Sequence, residues 1–388
     1  MRLFLYSDHR RLCALATISV LLIAGCSGLR VDRSMLTRPG DWAMYGGGPS
    51  RTNVSQSVVR PPFREVWQYN AQAGISGTPL VRDSVMVVGT LLGEIQAVNI
   101  KNGRRLGYKV MEGSIVGTPA LDGSKVIFAM SGVQQSVVAM DLGNGERVWI
   151  YAAGPVESAP LLYENFVYVT TLQGSLICLE KSDGKEVWKF ETEEKGPPIR
   201  SSPATDGKVI CFGSDDGHVY GVDRASGSLL WKTDAGASVF ASPIIASDLV
   251  IVGTINGIIV ALDAATGTLR WSYATGSRIY SAAAGERNVI YAGSANGVLH
   301  ALDSGTGALV WKFEAKSVIG SAPLVASGLI FVGALDKKLY MLDSATGKEL
   351  WQFEAEGRIR VSPVLWGDYL LVTSEDKYIT ALRPESIP

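Results

Sequence analysis

The chain of 388 residues has few histidines, few cysteines and no excess of charge of either sign. Its three histidines lie far apart, and His218 and His300 have no Cys or carboxylate partner at the spacing that metal ligands need. We therefore expect neither a metal site nor a bound cofactor. The 36 basic and 37 acidic residues nearly cancel, which argues against the basic surface that a nucleic-acid partner requires.

The longest apolar run near the N-terminus is too short to cross a bilayer. It extends from Leu12 to Ala24 behind a basic stretch, whereas a spanning helix needs about 20 residues. The run ends in Leu22-Ile23-Ala24-Gly25-Cys26, which resembles a bacterial lipobox. We interpret residues 1–25 as a lipoprotein signal peptide and Cys26 as the lipidation site, which carries acyl chains such as palmitate. An ordinary cleaved signal peptide with a chance cysteine is the alternative.

The residue after the cysteine bears on the location of the protein. Ser27 stands where an Asp would favour retention at the inner membrane, by resemblance to lipoprotein sorting rules. The expected location is therefore the outer membrane, with the lipid-anchored protein facing the periplasm. Residues 26–62 are rich in Gly, Ser, Pro and Arg, and we interpret them as a lipidated tether with one ordered patch, Asp41 to Gly47.

Glycine and tryptophan are abundant, with 43 and 9 residues, and they mark a repeat of about 40 residues. One signature is an acidic residue at the end of an apolar strand, with Gly four residues later and Trp four residues after that. It recurs as Asp141/Gly145/Trp149, Glu180/Gly184/Trp188, Asp223/Gly227/Trp231, Asp263/Gly267/Trp271, Asp303/Gly307/Trp311 and Asp343/Gly347/Trp351. The first copy is degenerate, because Asn99 replaces the acid and Gly107 replaces the tryptophan.

A second signature is a small residue followed by Pro at the opening of a strand. It is found at Pro79, Pro119, Pro160, Pro203, Pro243, Pro323 and Pro363, and Ala283 fills the remaining position. Between the two signatures, apolar runs and Gly-containing turns leave room for four short strands, the size of a propeller blade.

The two ends of the repeat region are complementary. The last copy stops at Leu382 without a Trp strand, whereas Phe63–Tyr69 is a Trp strand with no blade before it. Joining them closes a ring and hides both sheet edges. Residues 63–388 are therefore predicted to be all-β: an eight-bladed β-propeller of four-stranded antiparallel blades, closed by the N-terminal strand completing the last blade. An open solenoid stack is the alternative.

Comparison of the eight copies separates constant from variable positions. Four residues before each opening position, every copy has a β-branched aliphatic residue, as expected at the start of a buried strand. The next position varies: Ser76, Val116, Glu157, Arg200, Phe240, Tyr280, Gly320 and Arg360. Arg200, Phe240, Tyr280 and Arg360 are of the types that dominate interaction hot spots. Solvated loop residues without a partner are the alternative.

The loop between Trp188 and Pro203 is longer than its counterparts, fifteen residues against twelve in most copies. Its two adjacent prolines restrict the backbone and lower the entropy lost on docking. We predict a partner-binding edge from this loop and its neighbours: Lys195, Pro198, Ile199, Arg200, Ser238, Phe240 and Tyr280. A bland insertion is the competing interpretation.

Residue sets for catalysis are missing from the sequence. Cys178 and Cys211 occupy apolar positions of predicted strands and look like small buried hydrophobic residues, although a disulfide between them stays open. The Asp row recurs in nearly every copy, which indicates turn capping rather than acid chemistry. The sequence has no haem-attachment motif, nucleophile elbow or P-loop.

The A-x-D-x-x-x-G-x-x-x-W unit resembles the repeat of pyrroloquinoline quinone (PQQ) propellers. With its lipobox and short tether, the secreted part is similar to the BamB family of outer-membrane assembly factors. The segment Arg200-Ser201-Ser202-Pro203-Ala204-Thr205 resembles that family's sequence at the same blade, and Ala283 lies in the blade where the family also lacks the proline.

The resemblance implies a non-enzymatic scaffold of the β-barrel assembly (BAM) machinery, which docks the periplasmic domains of a BamA-like insertase and aids outer-membrane protein insertion. The family's docking residues lie on two consecutive loops, here those before Pro203 and Pro243. The family pattern has leucines and an Arg on the first loop and two Asp on the second. This chain has Ile199 and Arg200 on the first loop, and Ser238 and Phe240 where the acids would stand.

Two other functions stay open. One is a periplasmic PQQ-dependent quinoprotein dehydrogenase, although members of that group resemble one another in a vicinal cysteine pair and a calcium cluster that this sequence lacks. The other is a sensor propeller that binds a small anion at Arg278, Arg358 and Arg360.

Overall fold

The computed structural model describes residues 28–29, 31, 35–192, 196–375 and 377–385. Within these ranges the chain forms eight sheets, each with four antiparallel strands, and one of the sheets also carries a short fifth strand. The first strands of neighbouring blades contact one another, so they surround the central axis. The predicted all-β, eight-bladed propeller of four-stranded antiparallel blades is confirmed.

Each blade has an inner strand at the axis, two middle strands and an outer strand at the rim. The inner strands are Leu80–Arg82, Ala120–Asp122, Leu161–Tyr163, Ala204–Thr205, Ile244–Ala246, Ala284–Glu286, Leu324–Ala326 and Val364–Trp366. The second strands are Val85–Gly89, Lys125–Ala129, Phe166–Thr170, Val209–Gly213, Leu249–Gly253, Val289–Gly293, Leu329–Gly333 and Tyr369–Thr373. The third strands are Glu94–Asn99, Val137–Asp141, Ser175–Glu180, His218–Asp223, Ile258–Asp263, Val298–Asp303, Lys338–Asp343 and Tyr378–Pro384. The outer strands are Arg105–Val110, Arg147–Tyr151, Glu186–Glu191, Leu229–Asp234, Leu269–Ala274, Leu309–Glu314, Glu349–Glu354 and Phe63–Asn70.

The burial of the strands follows from their sequences. Second strands such as Leu249–Gly253 are continuous apolar runs and are buried on both faces, because each blade packs between two others. Outer strands such as Leu309–Glu314 alternate exposed and half-buried residues, as expected for the rim of the ring. The apolar patterning of the repeat therefore fixes which strand lies where within a blade.

The outer-strand tryptophans join neighbouring blades. Six of them lie on the turn glycine of the next blade: Trp67 on Gly103, Trp149 on Gly184, Trp188 on Gly227, Trp231 on Gly267, Trp271 on Gly307 and Trp311 on Gly347. A Cβ atom at Gly267 would lie 2.5 Å from the Trp231 ring, so only glycine fits there. The indole of Trp231 also donates a hydrogen bond to the carbonyl of Ala264 over 3.0 Å. We call this contact the Trp latch.

The acidic row caps turns, as predicted. The Asp263 carboxylate accepts hydrogen bonds from the backbone and hydroxyl of Thr266, and it also pairs with Arg270 at 2.8 Å. The hydrogen bond from Arg270 and the Thr266 contacts lower the pKa of Asp263 to about 2. The same turn geometry recurs at Asp223, Asp303 and Asp343, so these carboxylates serve the scaffold.

The last blade combines both ends of the repeat region. Phe63–Asn70 pairs antiparallel with Tyr378–Pro384, and Trp67 lies opposite Ala381. An earlier two-residue strand, Val54–Ser55, instead adds to the seventh blade, where it runs parallel to Leu324–Ala326. Val54–Ser55 and Phe63–Asn70 thus pair with strands of two different blades.

Residues 42–55, placed in the tether by the sequence analysis, cross the axis and bind the inner strands. Trp42 pairs with Val81 of the first blade, and the carbonyl of Ala43 accepts from Leu121 of the second. Further along, backbone carbonyls accept from successive blades: Pro49 from Thr205, Ser50 from Ile245, Thr52 from Gly285 and Asn53 from Val325. The Ser55 hydroxyl donates to Leu365 of the eighth blade. This axial segment, residues 42–55 with a 3₁₀ turn at Tyr45–Gly47, belongs to the propeller.

Arg51 completes the axial segment at the third blade. Its side chain is fully buried and donates to the carbonyls of Tyr45 (2.9 Å), Ala159 (3.1 Å) and Pro203. Burial lowers the pKa of Arg51 to about 10, against the opposing effect of Tyr45. At neutral pH the guanidinium is therefore charged and satisfies carbonyls that would otherwise be left without donors at the axis.

Candidate docking surface

The loops that lead into the inner strands lie on one face of the ring, which we call the upper face. Each of these leading loops packs on the turn between the second and third strands of its own blade. The backbone N–H of Asp215 donates to Pro198, that of Ile255 to Ser238 and that of Ala295 to Arg278, over 2.8–3.1 Å. Since the pattern recurs in successive blades, the leading loops are held on the rigid scaffold rather than projecting freely.

Arg200 is the centre of a cluster that spans three blades on the upper face. Its guanidinium forms an ion pair with Asp215 of its own blade and lies 3.9 Å from the Glu157 carboxylate of the preceding blade. It also lies over the ring of Phe240 from the following blade, with 5.4 Å between the guanidinium carbon and the ring centroid. The Arg200 side chain is still 41% exposed. The cluster therefore presents a pre-positioned cation and an aromatic ring to solvent.

The upper face continues into the sixth and eighth blades. Tyr280 is 45% exposed, and its hydroxyl accepts from Arg278 over 3.4 Å. Arg360 is half exposed and forms an ion pair with Glu375 of its own blade. Together with the Arg200 cluster these side chains form a mixed aromatic and charged surface around the axis.

The other predicted partner-binding residues that the structure describes are less available for contact with a partner. Ile199 is fully buried among core residues of the third and fourth blades, so it supports the loop and is not a contact residue. The Ser238 hydroxyl donates to the backbone of Asp215 over 2.7 Å, which links two blades. Pro198 is half-buried and supplies a backbone acceptor. Lys195 lies outside the described residues.

Two depressions open on the upper face. A pit of about 210 Å³ lies at the axis; Tyr280 and Arg360 stand at its edge, small residues and hydroxyls line its wall, and Tyr45 contributes to it from the axial segment. A groove of about 940 Å³ beside it is lined by Arg278, Arg360 and Leu335. Of the three predicted anion-binding arginines, the groove brings two together, while Arg358 does not line it. Glu375 already compensates Arg360.

The residues at the axis do not fit the quinone cofactor of PQQ enzymes. Cys178 and Cys211 lie in different blades and are both buried free thiols, so they form neither a vicinal pair nor a disulfide. Desolvation raises the pKa of Cys178 to about 12. The pit is smaller than the 300–1,000 Å³ typical of ligand pockets. In the part of the chain that the structure describes, no group of three His, Cys, Asp or Glu side chains could hold a metal ion.

Sequence reasoning missed the acidic partners of Arg200 and the role of the axial segment. Glu157 stands in the same variable row as Arg200, one blade earlier, so the row itself contained a signal for this pair. Asp215 lies on a turn that the repeat comparison did not cover. No apolar periodicity marks residues 48–55, because backbone hydrogen bonds and one arginine hold them in place.

Fold and surface define a β-propeller with a broad aromatic and charged face at one end of its axis. A family model described as outer membrane protein assembly factor BamB matches residues 63–153, 109–190, 134–284 and 276–386. BamB of Burkholderia pseudomallei is 27% identical over 199 residues, which cover 46% of this chain and 49% of that protein. The crystal structure of BamB from Moraxella catarrhalis superposes with a TM-score of 0.72 at 17% identity, covering 83% of this chain and all of that one.

Quinoprotein enzymes share part of this similarity. Quinohemoprotein alcohol dehydrogenase ADH IIB of Pseudomonas putida is 25% identical over 216 residues, 47% of this chain and 31% of that enzyme. The matched regions cover between 31% and 60% of the length of the curated relatives. Because the family model covers most of the chain, the chain belongs to the BamB family, and the resemblance noted in the sequence is confirmed. No helix in the described ranges is long and apolar enough to cross a membrane.

Proposed function

We propose that this protein is a non-enzymatic, lipid-anchored scaffold of the outer-membrane β-barrel assembly machinery, and that its upper face docks the periplasmic part of a BamA-like insertase. The observation that carries the proposal is the Arg200 cluster, in which one guanidinium joins Glu157, Asp215 and Phe240 from three blades. Membership of the BamB family and the lipobox at Cys26 support it.

The geometry suits a protein partner. Arginine and aromatic residues carry much of the energy of protein interfaces when they are held rigidly in place. Here Asp215 and Phe240 hold Arg200 before any partner arrives, which lowers the entropy cost of docking. Tyr280 and Arg360 extend the same surface around the axis. The sequence of the second loop, with Ser238 and Phe240 in place of acids, favours an apolar or anionic patch on the partner rather than a basic one.

The geometry gives weaker support to an enzymatic function than to a scaffold. The carboxylates of the acidic row cap turns, the thiols are buried, and the axial pit is small. The upper face thus offers an open surface for contacts, and the pit at the axis encloses little space for a substrate. The lipobox and membership of the BamB family support outer-membrane placement, with the propeller in the periplasm.

Site-specific photo-crosslinking tests the proposal. A photoreactive amino acid at Phe240 or Tyr280 is expected to capture a BamA-like insertase in cells. The same probe at Lys348, an exposed turn residue on the opposite face of the ring, is the matched control. Equal capture from both faces, or capture from Lys348 alone, would contradict docking through the upper face.

A further inference from the structure

The first blade lacks its Trp latch, and the N-terminal segment fills the space. Gly107 stands where the other seven outer strands have tryptophan. A Cβ atom at Gly107 would lie 2.8 Å from the Cα of Leu29 and would also collide with the carbonyl of Gly28. Gly107 has no positive φ, so this position excludes a side chain through lack of space rather than through backbone conformation.

Leu29 lies beside Gly107, at the position from which the missing ring would project. In six of the interfaces that the structure describes, the turn glycine of the following blade meets a tryptophan. The corresponding glycine of the second blade is Gly145. A Cβ atom at Gly145 would lie 3.9 Å from the backbone nitrogen of Leu29. Leu29 is 1% exposed, and Val31 and Met35 are buried with it in the same core cluster. The segment is packed like part of the propeller.

This packing has a consequence for the membrane. Two peptide units separate Gly28 from Cys26, and two peptide units extend over at most about 8 Å. Cys26 itself lies outside the described residues. An acyl chain on Cys26 would therefore be attached next to the rim of the first and second blades, rather than at the end of a long free tether.

The rim of the first blade differs in charge from the others. Between Asn99 and Val110 there are four basic residues, Lys101, Arg104, Arg105 and Lys109, and no acidic one. All four are exposed. The corresponding stretch of the fifth blade, on the opposite side of the ring, is Asp263 to Ala274 and has one residue of each sign. A basic rim beside the anchor is complementary to anionic lipid headgroups.

We propose that the space left by the missing tryptophan is a binding site for the protein's own N-terminal segment, which holds the basic rim of the first blade against the anionic lipid surface. This inference rests on the acylation of Cys26 assumed in the proposed function. It adds a fixed orientation: the first blade faces the membrane and the fifth blade points away from it. The leading loops are then presented along the membrane rather than toward it.

Lipid-quenching measurements test this orientation. The acylated full chain is bound to vesicles of phosphatidylcholine and phosphatidylglycerol that carry a headgroup quencher. A fluorophore is attached at Asn102→Cys in the first blade or at Thr266→Cys, the same turn position in the fifth blade; the native thiols of Cys178 and Cys211 are buried. We expect several-fold stronger quenching at position 102. Equal quenching at both positions would overturn the proposal.

A second arm separates the binding site from the anchor. Gly107→Trp restores the sequence of the other blades and is expected to displace Gly28 and Leu29, because the ring and Leu29 need the same space. In solution, backbone hydrogen exchange of Leu29 and Val31 should then accelerate at least tenfold, while exchange in the blades stays unchanged. On vesicles, the quenching difference between the two label positions should disappear, with membrane binding retained.

Leu29→Ala is the milder variant should the tryptophan perturb the fold; it should accelerate exchange of the same segment without a steric clash. Unchanged exchange in both variants would contradict the binding site.

Because the assay contains only the protein and lipid, its result is independent of the insertase. Failure of the photo-crosslinking test with a retained quenching difference would reject the proposed partner and keep the orientation. Failure of the chain to bind vesicles at all would overturn the proposal at its premise, the acyl anchor.

Discussion

The guanidinium of Arg200 lies over the ring of Phe240, 5.4 Å from its centroid, although the two residues belong to different blades. Asp215 fixes the other side of the same guanidinium. A cation held between a carboxylate and an aromatic face retains one orientation. The proposed docking surface therefore begins with a contact that is already formed in the free protein.

Arg200→Ala is expected to weaken binding of the insertase about 30-fold, the effect of a hot-spot residue worth about 2 kcal/mol. Arg200→Lys should recover little, because an ammonium does not reproduce the planar stacking on Phe240. Titration calorimetry with the periplasmic part of the insertase measures both effects. Lys348→Ala, on the opposite face, should leave the affinity unchanged.

Arg51→Met is expected to lower the free energy of unfolding by about 3–5 kcal/mol. Its removal leaves the carbonyls of Tyr45, Ala159 and Pro203 buried without this donor, at about 1–3 kcal/mol each when uncompensated. Urea denaturation followed by tryptophan fluorescence measures the change. Arg64→Met, at an exposed position of the last blade's outer strand, should change stability by less than about 0.5 kcal/mol. A similar small effect at Arg51 would show that the axial segment adds little to stability.

Gly267→Ala should destabilise the propeller more than Gly276→Ala does. Both glycines have positive φ, +70° and +79°, so alanine at either position meets backbone strain of about 1–2 kcal/mol. Only at Gly267 would the new methyl group also collide with the Trp231 ring, which adds about 1–3 kcal/mol of overpacking. Thermal unfolding of the two variants compares them directly. If both lose the same stability, the Trp latch does not constrain the turn.

His300 should make the propeller less stable in mild acid. Its ring is 5% exposed, between the Tyr273 hydroxyl and the Ser294 hydroxyl and opposite Lys312. Desolvation, with a smaller effect of Lys312, lowers its pKa from 6.5 to about 4. The unfolded chain therefore binds a proton first as pH falls, and stability is lost between pH 6.5 and about 4, by about 3 kcal/mol in all.

His300→Gln is the matched variant for this prediction. Glutamine is the residue that the first blade has at the equivalent position, Gln96. Glutamine keeps a polar group for Tyr273, as Gln96 does for Tyr69, and does not titrate. Urea midpoints measured from pH 7.5 to 4 should fall less for the variant than for the native protein. If the urea midpoints of the two proteins fell equally with pH, a group other than His300 would cause the acid sensitivity.

Much of the fold was accessible from the sequence because the repeat is regular. The spacing of Asp263, Gly267 and Trp271, repeated in six copies, marks strand ends and latches directly. The axial segment was not accessible, since residues 49–53 bind through backbone carbonyls that any sequence supplies. The space beside Gly107 was visible as a departure from the repeat, but its occupant, Leu29, lies far away in sequence and outside any pattern.

The site was partly predictable for a similar reason. The variable row identified Arg200, Phe240, Tyr280 and Arg360 as neighbours on one face, and the structure brings Arg200 against Phe240. The structure places Ile199, by contrast, in the buried core. Ile199 belongs to the constant row of β-branched aliphatic residues, whose side chains are buried in every blade, whereas Arg200 belongs to the variable row and is exposed.

The most direct test of docking through the upper face is the affinity of purified insertase periplasmic domains for Phe240→Ala compared with Leu230→Ala. Leu230 is 49% exposed on the outer strand of the fourth blade, away from the upper face, and its truncation removes a similar apolar side chain. We expect Phe240→Ala to weaken binding at least tenfold and Leu230→Ala to leave it unchanged. Unchanged affinity for Phe240→Ala, or an equal loss in both variants, would contradict the account.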